Sequence, residues 1–183
     1  MQILCPMPKD LINICFSYLT KQECIYIKNN WSQFDKNNVC EIAVKYNWID
    51  LLKWALENDC HLDENDLLTS AQNGFLDILK LANNNNYKLD EYVSANAAWK
   101  GQLEIVKWSK DNILNWDKWI IHAATENGHL DIIKWAINNG CEWYESTCET
   151  AANNNHLHIL KYAQENGCTC KDTNKYKMLI QIP

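Results

Sequence analysis

A chain of 183 residues, 47% of them apolar, can bury one good core, and its length predicts one domain or one domain with an appendage. A net charge of −6 excludes the concentrated Lys and Arg surplus that polyphosphate binding needs, so nucleic acid is disfavoured as a partner. Nine cysteines are an odd number, no signal peptide is evident, and no apolar run approaches the roughly 20 residues that span a bilayer. The expectation is a soluble cytoplasmic protein with reduced thiols and no membrane association. Five glycines and three prolines leave little room for strands and hairpins, which predicts an all-α chain.

Residues 1–38 come first and stand outside the repeat that follows. Leu11, Ile12, Cys15, Phe16 and Leu19 recur at helical spacing behind a Pro8-Lys9-Asp10 start. Met7-Pro8-Lys9-Asp10-Leu11-Ile12, then Phe16-Ser17-Tyr18-Leu19 and later Trp31, resembles an F-box, whose pattern runs L-P-x-E-L-L, I-x-S-Y-L, D-L and V-C-x-x-W. The stretch between Leu19 and Trp31 is compressed, and Gln22-Glu23-Cys24-Ile25 stands only loosely for the D-L step. The resemblance implies docking to the Skp adaptor of a cullin ubiquitin ligase through Pro8, Leu11, Ile12 and Leu19. The plain alternative is an amphipathic cap over the first apolar face of a repeat stack.

From residue 39 to 173 the chain repeats five times with a period of 27, framed on Asn47, Gly74, Gly101, Gly128 and Asn155. Each frame residue opens a helix whose seventh residue is Lys (Lys53, Lys80, Lys107, Lys134, Lys161). Its third, fifth, sixth and ninth residues form an inward apolar stripe, as in Leu130, Ile132, Ile133 and Ala136. The twelfth is always Asn (Asn58, Asn85, Asn112, Asn139, Asn166), a residue that tolerates the left-handed conformation and predicts a helix stop. A second short helix precedes each frame residue and carries Ala43, Ser70, Ala97, Ala124 or Ala151 at one phase, which suits close helix-to-helix contact. Ser146 or Thr147 is the expected cap of the last of these. Residues 174–183 begin one more unit and stop, a half-repeat closing the array.

The strings Ala123-Ala124-x-x-x-Gly128-His129-Leu130-Asp131-Ile132-Ile133-Lys134 and Asn139-Gly140-Cys141 resemble the ankyrin consensus, A-A-x-x-G-H-L-E-V-V-x-L-L followed by N-G-A. The period is 27 instead of 33, Trp54, Trp108 and Trp135 stand where an aliphatic residue is usual, and the shortfall predicts stubby turns such as Glu142-Trp143-Tyr144-Glu145 in place of β-hairpin fingers. The closest resemblance is to the short-period, Trp- and Cys-rich ankyrin proteins of giant amoeba-infecting viruses. It implies an all-α, ankyrin-like solenoid of helical pairs with an N-terminal helical cap, sited in host cytoplasm and holding a protein partner on its concave face.

Candidate chemistry is sparse. Cys168-x-Cys170 with His156-x-His158 offers zinc-ligand atoms, but the spacing matches no finger, and Cys60, Cys141 and Cys168 share a repeat position with Tyr87 and Leu114, which assigns them to packing. No metal and no cofactor is expected. No carboxylate or nucleophile recurs beside His122, His129 or His156, and no phosphate-binding Gly loop exists, so catalysis is not expected. The lysine row is offset by Asp50, Asp77, Glu104 and Asp131 three residues upstream. Trp116 and Trp143 share a position with Leu62 and Leu89 and are expected in the core. Tyr92, Trp99, Trp119, His122, Tyr144 and Glu149 lie at positions that vary as a surface does, and they are the predicted partner-binding patch. The functional expectation is a protein-interaction scaffold or adaptor, with a structural, particle-associated assembly protein as the alternative.

Overall fold

The computed structural model describes residues 36–117 and 119–170. The expected half-repeat 174–183 lies outside them, as do Pro8, Leu11, Ile12 and Leu19 and all but the last three residues of the expected N-terminal module. Among the described residues the chain is all-helical. Its helices are α1 (Lys36–Lys45), α2 (Ile49–Glu57), α3 (Glu64–Asn73), α4 (Leu76–Asn84), α5 (Glu91–Trp99), α6 (Leu103–Asn112), α7 (Ile120–Asn127), α8 (Leu130–Asn138), α9 (Thr147–Asn153) and α10 (Leu157–Glu165). No strand occurs there, and no helix there is long and apolar enough to cross a membrane.

Odd-numbered helices carry the small residues and even-numbered ones the lysines. The chain divides after Asp66 into two compact units, residues 1–66 and 67–183. In the first, α1 packs on α2. In the second, α7 lies between α5 and α9, α6 neighbours both α4 and α8, and α5, α7 and α9 each pack on the lysine helix that follows.

The core is built from one side-chain set used repeatedly. Each lysine helix buries its fifth, sixth and ninth frame residues: Leu51, Leu52 and Ala55 in α2, Ile78, Leu79 and Ala82 in α4, Ile105, Val106 and Ser109 in α6, and so on to Ile159, Leu160 and Ala163 in α10. Burying each large aliphatic side chain contributes about 1.5–3 kcal/mol. The third frame residue departs from the expected stripe, since Ile49, Leu76, Leu103 and Leu130 are half-buried and Leu157 is exposed. It sits in the first turn, beside the solvent-facing acidic residue. Ala43, Ser70, Ala97, Ala124 and Ala151 on the odd helices are fully buried, as close approach of neighbouring helices requires.

Each frame residue proves to be the left-handed end of the odd helix, with the lysine helix beginning two residues later. Asn47, Gly74, Gly101, Gly128 and Asn155 all have φ between 54° and 82°. The N–H after each donates back to the carbonyl of the buried small residue: Trp48 to Ala43 at 2.8 Å, Gln102 to Ala97 at 2.8 Å, His129 to Ala124 at 2.9 Å, His156 to Ala151 at 2.7 Å. The same small residue therefore sets the helix spacing and receives the cap. At Gly101 and Gly128 a side chain is doubly excluded, because a Cβ would lie 2.8 Å from the His129 ring and 2.9 Å from the His156 ring. Those rings in turn reach the previous repeat: His129 Nε2 lies 3.2 Å from the Trp99 carbonyl and His156 Nε2 3.1 Å from that of Glu126, while Gln102 Nε2 donates to the Gln72 carbonyl at 3.1 Å.

The stop asparagines end their helices by another device than expected. Asn58, Asn85, Asn139 and Asn166 keep negative φ, and the left-handed residue is the next one, Asp59, Asn86, Gly140 or Gly167. The asparagine contributes its side chain: Asn58, Asn85, Asn112, Asn139 and Asn166 each donate Nδ2 to the carbonyl four residues back at 2.8 Å, satisfying an acceptor that the helix end leaves open. Helix starts also differ from expectation. Ser146 accepts no N–H of α9, and Thr147 donates its hydroxyl to the Tyr144 carbonyl at 2.7 Å. Side-chain caps occur at Asp90, which accepts from the Tyr92 N–H at 3.1 Å, and at the start of α3, where Asp63 and Asp66 of the first turn each accept the other's N–H.

Candidate interaction surface and thiol cluster

Three of the six expected patch residues come together. Tyr144 lies in the stubby turn before α9, His122 in the first turn of α7, and Trp119 immediately precedes α7. The Tyr144 ring centroid is 4.9 Å from that of His122 and 6.0 Å from that of Trp119, at tilted angles that suit ring quadrupoles. All three are half-buried, so each presents an edge. His122 Nε2 lies 3.6 Å from a Glu126 carboxylate oxygen, while its Nδ1 is buried without a hydrogen-bond partner among the described residues. Glu149 is exposed in the first turn of α9.

Tyr92 and Trp99 occupy α5, 52% and 39% exposed, at its beginning and end. The Lys100 ammonium sits 4.4 Å over the Trp99 ring. Neither makes a ring contact with the Tyr144 group among the described residues. Trp116 and Trp143 are half-buried and not core, unlike Leu62 and Leu89 at the same phase. An indole is too large for the space a Leu fills, so each lies over the next lysine helix: Trp116 edge-on to Trp135 at 5.5 Å, and Trp143 against Tyr162 at 6.1 Å with its Nε1 donating to the Asn166 carbonyl at 3.0 Å. Of the lysine row, Lys107 pairs closely with Glu104 at 2.7 Å and Lys80 loosely with Asp77 at 3.9 Å, while Lys134 lies over the Tyr162 ring. Such exposed pairs contribute little.

The cysteines give the larger departure. Of the cysteines expected to be reduced thiols, four are brought to bonding distance in pairs, Cys40 with Cys60 and Cys148 with Cys170. The repeat frame accounts for the positions. Cys40 and Cys148 each lie seven residues before a frame residue, Cys60 and Cys168 each thirteen after it, and these two phases meet across the helix pair. Cys148 Sγ is accordingly 3.7 Å from Cys168 Sγ as well as being bonded to Cys170. The histidines weighed with Cys168 and Cys170 as a zinc-ligand set point elsewhere, His156 to the Glu126 carbonyl and His158 to that of Gly128 at 3.2 Å. Cys148 was the residue missed, and the 20-residue separation that it shares with Cys40 and Cys60 was the available signal.

Cys141 and Cys168 are unbonded and buried. Burial pushes the Cys141 thiol up to about 12, with the Asp117 carboxylate adding to the shift and Lys110 opposing it, and burial raises the Cys168 thiol as well. Cys141 is thus an unreactive packing thiol at neutral pH. No protein-family model matches the chain, and no match to a curated protein is found.

Proposed function

We propose that the protein is a binding scaffold: an ankyrin-like stack of helical pairs that holds a protein partner by surface complementarity, without covalent chemistry. The observation that carries this reading is the ring group of Trp119, His122 and Tyr144, gathered from the approaches to two neighbouring odd helices and left half-open to solvent. Aromatic side chains are the commonest energetic anchors of protein interfaces, and a buried unpartnered Nδ1 on His122 leaves a donor or acceptor for a partner to satisfy. The repetitive core and the carbonyl contacts of Gln102, His129 and His156 suit a rigid support for such a patch. Tyr92, Trp99 and Glu149 extend the candidate surface, and the F-box-like segment around Pro8, Leu11, Ile12 and Leu19 would make the scaffold an adaptor to a host cullin ubiquitin ligase.

The test is affinity capture by the wild-type chain beside two double variants, Trp119→Ala with Tyr144→Ala and Leu11→Asp with Ile12→Asp. A protein retained by wild type and lost from the Trp119/Tyr144 variant supports the scaffold. Capture of the Skp adaptor that only the Leu11/Ile12 variant loses supports the adaptor role. A chain that captures nothing and self-associates with rising concentration favours the particle-assembly reading instead.

A further inference from the structure

We propose that, with its thiols reduced, the protein binds one soft thiophilic cation, Zn2+ or Cu(I), between Cys148, Cys168 and Cys170.

The three Sγ atoms all lie within 4.8 Å of one another. One of them is held by a helix and a second by a backbone hydrogen bond. Cys148 is in the first turn of α9, and Cys168 follows the left-handed Gly167 with its own N–H bonded to the Ala163 carbonyl at 3.0 Å. Their separation of 3.7 Å is close to the edge of about 3.8 Å that joins two thiolates each about 2.3 Å from a tetrahedral zinc. Cys170, two residues further and half-buried, closes the triangle. Metal sites placed on rigid elements hold their geometry best, and here Cys148 is on a helix while Cys168 is fixed by its backbone hydrogen bond.

Ligand chemistry decides the cation class. Three sulfurs, with no carboxylate or imidazole in the cluster, select soft d10 ions over Mg2+ or Ca2+. Cys148 and Cys168 are buried, so an unneutralised thiolate there is costly. A bound cation removes the penalty.

The other cysteine pair provides an internal contrast. Cys40 and Cys60 occupy the same two phases of the frame, whereas the group of three ligand sulfurs found among the described residues is the one at Cys148. At Cys148 the bonded and metal-loaded states exclude each other, because Cys148 and Cys170 serve both. A phosphine opens the bond, taking oxygen from water to become phosphine oxide and leaving two thiols. Each thiol that then ligates the cation releases its proton to the buffer.

The experiment uses the full chain, reduced with a phosphine under argon and titrated with Co2+ as a chromophoric probe. Thiolate-to-cobalt charge-transfer absorption saturating at one ion per chain, and abolished by stoichiometric Zn2+ or Cu(I), is the expected result. The ion that displaces cobalt at the lower free concentration is the preferred one. Cys168→Ser and Cys170→Ser should each weaken binding by about 100-fold, at the upper end of what even outer-shell substitutions cost, while Cys40→Ser with Cys60→Ser should leave it unchanged. Circular dichroism establishes that each chain is folded. A folded, reduced wild type without charge-transfer absorption, or absorption that survives in both Cys168→Ser and Cys170→Ser, would overturn the proposal.

Discussion

The link after α6 and the link after α8 occupy the same place in the repeat, yet they turn the chain at different residues. After α8 the order is Asn139, left-handed Gly140, then buried Cys141, whose N–H returns to the Ala136 carbonyl at 3.1 Å. After α6 the residue in Gly140's place is Ile113. A β-branched side chain cannot adopt the left-handed region at acceptable cost, so Ile113 stays extended at φ −125°, and the left-handed residue is Asn115. Two consequences follow. Ile113 takes the buried site at 5% exposure, and Leu114, expected to pack like Cys60, Cys141 and Cys168, is 82% exposed. The Trp116 carbonyl accepts from the Ser94 hydroxyl at 2.8 Å, the same two phases that bring Cys148 and Cys170 together in the last repeat.

The strongest way to break this comparison is to truncate the two neighbours separately. Ile113→Ala should cost about 3 kcal/mol, because it opens a cavity in a buried site, while Leu114→Ala should change stability by less than about 0.5 kcal/mol. Urea denaturation of the two variants measures both. The opposite ranking would mean that the third link follows the common frame after all.

The links also differ in how they enter the next helix, and here one position is out of character. Asp66 shares its phase with Val93, Ile120 and Thr147, all buried, and is itself only 7% exposed. Desolvation pushes its carboxyl up to about 6 from 3.8, opposed by the Asp63 N–H and aided by the charges of Asp63 and Glu41. The folded state therefore holds this proton more tightly than the unfolded chain. The stabilisation is fully present below about pH 4 and is lost as pH rises through about 6, a swing of about 2–3 kcal/mol from this one group. Asp66→Asn, whose amide oxygen still accepts the Asp63 N–H, should flatten that part of the stability profile. A wild-type profile with no fall between pH 4 and 6 beyond that of the variant would show Asp66 to be solvated, as an ordinary link residue is.

These links show what was legible in the residues alone. The 27-residue frame located every described helix, the buried small residue on the odd helices and the fifth, sixth and ninth positions of the even ones, because each copy buries the same helix positions. The frame misled where one copy broke a backbone rule, as Ile113 does, since a register argument assumes that equivalent positions have equivalent dihedrals. It also left Cys148 unconnected to Cys168, because counting cysteines by their total number ignores which phases of the repeat face each other. Of the candidate surface, the positions of Trp119, His122 and Tyr144 were read from position-to-position variation, whereas which of the six rings and side chains touch depends on side-chain direction that spacing does not encode.

The smallest expected effect concerns what the two links share. Asn112 and Asn139 make the same side-chain bond, Nδ2 to the carbonyl four residues back at 2.8 Å, even though only one is followed by a left-handed glycine. If the amide ends the helix independently of the turn, Asn112→Ala and Asn139→Ala should each cost about 0.5–1 kcal/mol, the low end for a hydrogen bond to a partly exposed carbonyl. Helix-specific amide exchange should rise in the last turn of α6 and α8 alike. Asn112→Ala without effect, beside a measurable loss for Asn139→Ala, would mean that the amide acts only with the left-handed residue behind it, so that Ile113 has displaced the whole stop and not just its second half.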